Sequence, residues 1–441
     1  MFSLAAPVAL AEIGWSAMSM VDTLMVGRLG AEAIGAVAVG SMLHFTIAIL
    51  GMGILLGLDT LVAQAYGAGR LRECHRALLH GVYVSLVLAP LLMAAVWAAI
   101  PLLGWMGIHR AVLPDAVAYL NAENYSTLPL LLYASFRRYL QAMNAVRPVM
   151  FALVSANLVN AFGNWVFIYG HWGARAMGPE GAGWATTWAR VYMAGVLIAY
   201  ALWHDRGHAL RLASVDLRPD PALFRKLLGL GVPAALQLWL EVGAFGAVTA
   251  LAGKFEPAAL AAHQIALNMV GLTYMVPLGI SSAAAVRVGH AVGRGDARAA
   301  RRSGWTAVCF GGVFMSLTGM VLLLAPRPLL RLFTNDGAVL EAGAAILFLC
   351  ALFQLFDGLQ VVTTGALRGA GDTRTPMLTN LLGHWAVGLP LGAVLAFKLR
   401  AGVAGLWTGL SLALIVVGTV LLVVWARSAR KAVWQTVESV A

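Results

Sequence analysis

Long runs of apolar residues, each ended by a short polar connection, repeat along nearly the whole chain. About 20 mainly apolar residues carry a helix across a bilayer. The pattern therefore predicts twelve transmembrane helices, over residues 4–26, 33–58, 78–103, 117–142, 149–169, 183–203, 224–252, 260–286, 304–325, 339–367, 377–397 and 402–425. Several exceed a minimal span, which permits tilt or extension beyond the lipid. The first carries Asp22 and no small-residue cleavage site, so it reads as a retained helix rather than a signal peptide. The basic connection at 206–222, with Asp216, Pro219, Asp220 and Pro221, lies near mid-chain. It predicts a linker between a first lobe, 1–205 with helices 1–6, and a second lobe, 223–441 with helices 7–12 and a short tail.

Displaced by 226 residues, the chain aligns with itself without a gap for about seventy positions. Pro7 meets Pro233, Thr23 meets Thr249, Gly27 meets Gly253, Gly53 meets Gly279, Val62 meets Val288 and Gly69 meets Gly295. Six helices per copy is an even number, so both copies enter the membrane in one orientation, as a parallel repeat. The expected fold is an all-α membrane protein of two pseudo-symmetric six-helix bundles. Two such lobes suit a transporter that exposes its site to one side and then the other.

Composition agrees with lipid as the solvent, since 61% of residues are hydrophobic and 11% charged. The net charge of +11 reads as topology rather than nucleic-acid binding. With the N-terminus inside, 21 of 30 basic residues fall on the cytoplasmic side, among them Arg70, Arg72 and Arg76, Arg137, Arg138 and Arg147, and Arg298, Arg301 and Arg302. Both termini are thus expected in the cytoplasm of a bacterial cell, with the chain in its inner membrane. Cys74, Cys309 and Cys350 show no metal-ligand spacing, and no Walker-type segment or nucleophile motif is present. Neither enzyme chemistry, a resident cofactor nor ATP-driven transport is expected.

A charged side chain at mid-bilayer costs at least about 2.5 kcal/mol, so an intramembrane carboxylate is a functional candidate. Asp22 and Glu12 in helix 1, Glu241 in helix 7 and Asp357 in helix 10 qualify, while Asp59 sits at the cytoplasmic end of helix 2 within reach of loop arginines. Glu241 has no basic neighbour in sequence. An unpaired buried carboxylate can hold a proton at neutral pH and a nearby cation keeps it ionised, and either behaviour allows exchange for a cationic substrate. Neutralisation by a structural tertiary partner is the alternative.

Gln354, Asp357 and Gln360 share a helix face by their spacing of three. That face lines either a wet cavity or a structural hydrogen-bond cluster. Asn157, Asn160 and Asn164 share a face of helix 5, and with Asp22 and Thr186 they form a candidate oxygen-rich site for a monovalent cation or a proton. Glu12 and Arg190 are either partners within the lobe or snorkelling groups. His263 and Gln264 read as packing residues.

The segments Met20-Val-Asp-Thr-Leu-Met-Val-Gly27, Val62-Ala-Gln-Ala-Tyr-Gly-Ala-Gly69, Ala261-Ala-His-Gln-Ile-Ala-Leu-Asn268, Val286-Arg-Val-Gly-His290 and Gly365-Ala-Leu-Arg-Gly-Ala-Gly-Asp372 carry a family likeness. Through them the chain resembles the multidrug and toxic compound extrusion (MATE) family, most closely its NorM-like branch. A monomer embedded in lipid is expected, and the resemblance implies export of bulky cationic or amphipathic small molecules in exchange for sodium ions or protons. It makes Glu241 and Asp357 look like the carboxylates of a C-lobe cation site, with sodium as a possible ligand, and Tyr274 an aromatic near them. Asp22, Asn160, Asn164 and Thr186 look like the N-lobe site. Three positions depart from the family: Phe353 where relatives can carry a tyrosine, Glu12 where the residue is commonly uncharged, and Asn164 where some have aspartate. Asp59-Thr-Leu resembles eukaryotic members. A lipid-linked oligosaccharide flippase of the same superfamily is the alternative, but it would favour a basic cavity, and the buried charges here are mainly acidic.

Overall fold

The computed structural model describes residues 2–105, 108–205 and 216–431, and these form twelve helical rods with no strand among them. The rods are α1 (Phe2–Val26), α2 (Ala31–Gly67), α3 (Leu71–Trp105), α4 (Leu113–Asn124 continuing as Thr127–Ala142), α5 (Val146–Tyr169) and α6 (Pro179–Asp205). The second copy supplies α7 (Pro221–Ala252), α8 (Pro257–Gly293), α9 (Ala297–Leu324), α10 (Gly337–Ala370), α11 (Arg374–Lys398) and α12 (Gly402–Lys431). Ten are long and apolar enough to cross a membrane, and the two others are α1 and the broken α4. The chain is an all-α, multi-pass membrane protein.

Helix ends differ from expectation in one systematic way. A 37-residue rod such as α8 is about 55 Å long at 1.5 Å per residue. That exceeds a hydrocarbon core of about 30 Å. Basic residues expected in connections therefore lie on helix ends, as Arg72 and Arg76 do on α3 and Arg298, Arg301 and Arg302 do on α9. Arg137 and Arg138, counted with the cytoplasmic charge at the end of the expected span 117–142, belong to the second segment of α4, where Arg137 is buried. The break in α4 follows from Pro129, which has no amide proton for the carbonyl four residues earlier.

Packing divides the chain into two compact units, Leu10–Ala235 and Met1–Ala9 with Leu236–Ala441. Of the expected linker at 206–222, residues 206–215 lie outside the described residues, as does the tail beyond 431. The rest of the linker docks inside the first of these units. Arg76 Nη2 donates to Asp220 Oδ2 at 2.9 Å, Tyr83 Oη to the Leu217 carbonyl at 2.5 Å, and the Asp220 amide to His80 Nε2 at 2.9 Å. Since His80 Nε2 must accept there, the ring proton sits on Nδ1, which donates to the Arg76 carbonyl at 2.8 Å. Asp220 also caps α7, its Oδ1 accepting from the Ala222 amide at 2.9 Å, with Pro221 in the first helical position. The first turns of α7 then press on α2: a Cβ at Gly231 would stand 2.0 Å from the Ile54 carbonyl oxygen.

The other unit is built on a similar close approach between α8 and α10. A Cβ at Gly365 would stand 2.2 Å from the Ser281 carbonyl oxygen, and one at Gly369 would stand 2.3 Å from that of Ala285. Small residues four apart on both helices let the backbones meet, and in lipid such packing replaces the hydrophobic drive available in water. The glycine-rich end of α10 is thus a packing surface. Beside it α11 departs from regular α geometry and is π-helical over Leu381–Gly388 and Val394–Lys398. Pro390, which cannot donate a backbone hydrogen bond, lies between the two stretches.

Candidate functional site

In the Leu10–Ala235 unit, α5 and α6 meet where Gly163 faces Ala185, a Cβ on the glycine lying 3.1 Å from the alanine methyl. The next residue on each helix, Asn164 and Thr186, is thereby brought to Asp22 of α1. Asn164 Nδ2 donates to Asp22 Oδ1 at 2.6 Å, and Thr186 Oγ1 donates to Asp22 Oδ2 at 2.9 Å. Asn160 closes the ring, donating to Thr186 Oγ1 at 3.3 Å and accepting from Asn164 at 3.2 Å. All four side chains are buried, and the remaining Asn164 oxygen, Oδ1, is unpaired. The structure thus brings together the four residues expected here. Asn157, on the same face by spacing, instead donates to the Gly14 carbonyl at 3.1 Å and fastens α5 to α1.

The second acidic group lies in the other unit. Glu241 of α7 is 7% exposed and Asp357 of α10 is 3% exposed. Tyr274 of α8 reaches Glu241 Oε1 at 3.5 Å, the outer limit of a hydrogen bond. Trp385 of the π-helical segment donates to the Leu240 carbonyl at 2.9 Å, anchoring α11 beside Glu241.

The polar face of α10 splits. Gln354 donates to Thr273 at 2.7 Å and Thr318 at 3.2 Å in a structural cluster, whereas Gln360 turns to Asn380 of α11 at 3.3 Å. Phe353 stacks on Trp407 at 6.1 Å and 13°, so this position presents a ring face without a hydroxyl. His263 is a packing residue: its Nδ1 accepts from the Trp407 indole at 3.1 Å, which leaves Nε2 to donate to Thr249 at 2.9 Å.

The remaining buried acids have arginine partners. Glu12 takes a hydrogen bond from Arg137, and Asp59 meets Arg138 at 3.5 Å. Arg190 pairs at 2.8 Å with Glu123, a carboxylate that the chain pattern did not single out. Glu123 and Arg190 are held by His44 at 3.4 Å and by Ser126 at 2.5 Å. The one signal that could have found Glu123 was an acid within the fourth apolar span matched by an arginine within the sixth. By contrast Asp22, Glu241 and Asp357 make no ion pair among the described residues.

The family model described as MatE matches residues 7–166 and again 233–394. The chain belongs to the MatE family. The two MatE matches begin 226 residues apart, the displacement at which the chain aligns with itself. The chain is similar to the protein called "Probable multidrug resistance protein NorM" of Brucella suis, at 34% identity over 96% of this chain and 91% of that protein. It is 31% identical to "Multidrug resistance protein PmpM" of Pseudomonas aeruginosa over 99% of this chain and 92% of that one.

Two solved structures share the MatE fold. The eukaryotic MATE transporter AtDTX14 superposes with a TM-score of 0.86 at 21% identity, covering 98% of this chain and 97% of its own. A MOP superfamily transporter from Pyrococcus furiosus superposes with a TM-score of 0.89 at 18% identity, covering 98% and 95%.

Proposed function

We propose that this MatE protein is a multidrug efflux antiporter that exports cationic or amphipathic compounds in exchange for sodium ions or protons, its two halves alternating access to the site. The observation that carries the reading is the sorting of buried acids. Glu12, Asp59 and Glu123 each have an arginine, whereas Asp22, Glu241 and Asp357 have none among the described residues. A carboxylate held in lipid without a partner needs a proton or a cation from outside the protein. Such acids serve exchange, because the arriving coupling ion and the departing cationic substrate compete for the same negative charge. The names of the Brucella and Pseudomonas relatives support drugs as the substrate class.

The donor sets suit a hard monovalent cation or a proton. Around Asp22 they are two carboxylate oxygens, the unpaired Asn164 Oδ1 and the Thr186 hydroxyl. No cluster of three His, Cys, Asp or Glu is present among the described residues. A sodium ion at Glu241 and Asp357 would therefore complete its shell with hydroxyl, amide or backbone oxygens. The bacterial inner membrane, with both termini cytoplasmic, is the matching location.

The test is dye exchange in proteoliposomes under an imposed sodium gradient and, separately, an imposed proton gradient. Asp22→Asn, Glu241→Gln and Asp357→Asn each keep shape and lose the charge. Each should abolish gradient-driven exchange while the protein remains folded. Unchanged exchange in all three would remove the acids from the mechanism.

A further inference from the structure

The polar chain around Glu241 continues beyond the acids. Gln360, one turn along α10 from Asp357, donates to Asn380 Oδ1 at 3.3 Å, and four residues further along α11 stands His384. Gln360, Asn380 and His384 are all fully buried. The His384 ring lies against the Asn380 carbonyl, yet neither ring nitrogen makes a hydrogen bond of normal geometry. Gln360 Oε1 and, one turn along α10, the Thr363 and Thr364 hydroxyls are likewise buried and unpaired.

Unpaired polar atoms are exceptional in a folded interior, where most such groups meet protein or ordered water. Several of them on facing helices, in the one helix of the described chain with π geometry, mark a built polar site rather than a packing accident. A buried water needs two to four polar partners. Gln360 Oε1, the His384 nitrogens and the threonine hydroxyls supply them. Of the ionisable groups on the helices that touch α11, Glu241 follows Leu240, whose carbonyl Trp385 reaches, Asp357 lies one turn before Gln360 and the buried Arg368 two turns beyond it, while α12 carries none between Gly402 and Trp425.

We propose that His384 is a second proton station of the Glu241 site, reached through water held by Gln360, Thr363, Thr364 and the Asn380 carbonyl. The transfer breaks the Glu241 carboxyl O–H bond, passes the proton to water as water yields one of its own onward, and forms an N–H bond on His384. It leaves a carboxylate on α7 and an imidazolium on α11. The amides hold the water and carry no proton themselves, since an amide relay would require an imidic acid. The inference rests on the antiport reading and makes protons the ion that drives this half.

The experiment compares wild type, His384→Gln and His384→Phe in proteoliposomes, with dye exchange recorded from pH 5 to pH 8 under a proton gradient and under a sodium gradient. Equilibrium dye binding and thermal unfolding of each variant are measured alongside. Glutamine retains hydrogen-bonding capacity and cannot take a proton at these pH values. Both variants should lose proton-driven exchange by roughly 100-fold, the lower end of what a positioned proton-transfer group contributes. Both should keep dye binding and lose the pH dependence of exchange. Wild-type exchange and pH profile in folded His384→Gln would overturn the proposal, leaving His384 a structural hydrogen-bonding group. Wild type driven by sodium alone would also overturn it and leave the antiport reading standing. Wild type that moves no dye under either gradient would overturn both.

Discussion

The buried pair of Glu123 and Arg190 allows a sharp energetic test. Arg190→Met leaves Glu123 with only 3% side-chain exposure, a neutral Ser126 and the His44 ring at 3.4 Å, and it deletes the hydrogen bonds at 2.8 and 2.5 Å. Stranding one member of a buried ion pair costs about 3–5 kcal/mol. Glu123→Gln strands the arginine instead, with a neutral acceptor still in place, and should cost about 3 kcal/mol by the same reasoning. In the double variant no charge is left without its partner. What remains lost is the hydrogen bonding of His44 and Ser126, worth about 2 kcal/mol together. The cycle should therefore show a coupling energy of about 4–6 kcal/mol, above the range of about 0.5–3 kcal/mol usual for residues in contact. Reversible unfolding in mixed detergent micelles, with denaturing detergent as the titrant, measures all four corners. An Arg190→Met variant within about 1 kcal/mol of wild type, or additive single effects, would refute the buried pair as an energetic unit.

Gly365→Ala places a methyl against the Ser281 carbonyl oxygen, 2.2 Å away, so the gain in helix propensity should be outweighed by overpacking of about 1–3 kcal/mol. Gly246→Ala on α7, with open space at the same point, is the control and should be neutral or slightly stabilising in the same unfolding assay. At the docked linker, burial pushes Asp220 upward, but the Ala222 and Leu223 amides and the nearby Arg76 guanidinium outweigh it and hold its carboxyl below the usual range. A depressed folded value means that its contribution to docking is complete above the ordinary carboxylate pKa of about 4 and is lost as pH falls through the lower folded value. Amide hydrogen exchange of residues 217–224 should therefore rise on acidification below about pH 4 in wild type. Asp220→Asn should remove that dependence, and an identical acid response in both would sink the assignment.

The spans and their repeat were legible because lipid imposes a length and an apolar composition that a single chain displays openly. The Asp22 ring was legible for a similar reason: Asn160 and Asn164 repeat at helical spacing, and an acid in an apolar span has few explanations. Pairing was not. Glu12 finds Arg137 across 125 residues and Glu123 finds Arg190 across 67, and periodicity carries no information at those separations. Arg137 counted with the cytoplasmic charge although it lies inside the expected span 117–142, and only the fold shows it buried against Glu12. Helical spacing also placed Asn157 with its two neighbours in sequence, but the backbone of Gly14 lay closer than the acid did. The π geometry of α11 has no signature in the chain beyond Pro390, which lies between its two stretches.

The division of the chain at Ala9 and Ala235 bears on how the protein is made. Synthesis proceeds from the N-terminus, and compact regions fold as they become available. Residues 10–205 leave the ribosome without the start of α7, whose Leu227, Gly231 and Ala235 cover the Gly53 to Gly57 face of α2. That face stays open until about thirty further residues have followed α6 into the membrane. Met1–Ala9 must wait longer still, for the helices of the second copy. A nascent chain released at 205 would therefore be an unfinished fold rather than a half transporter, with that face of α2 uncovered.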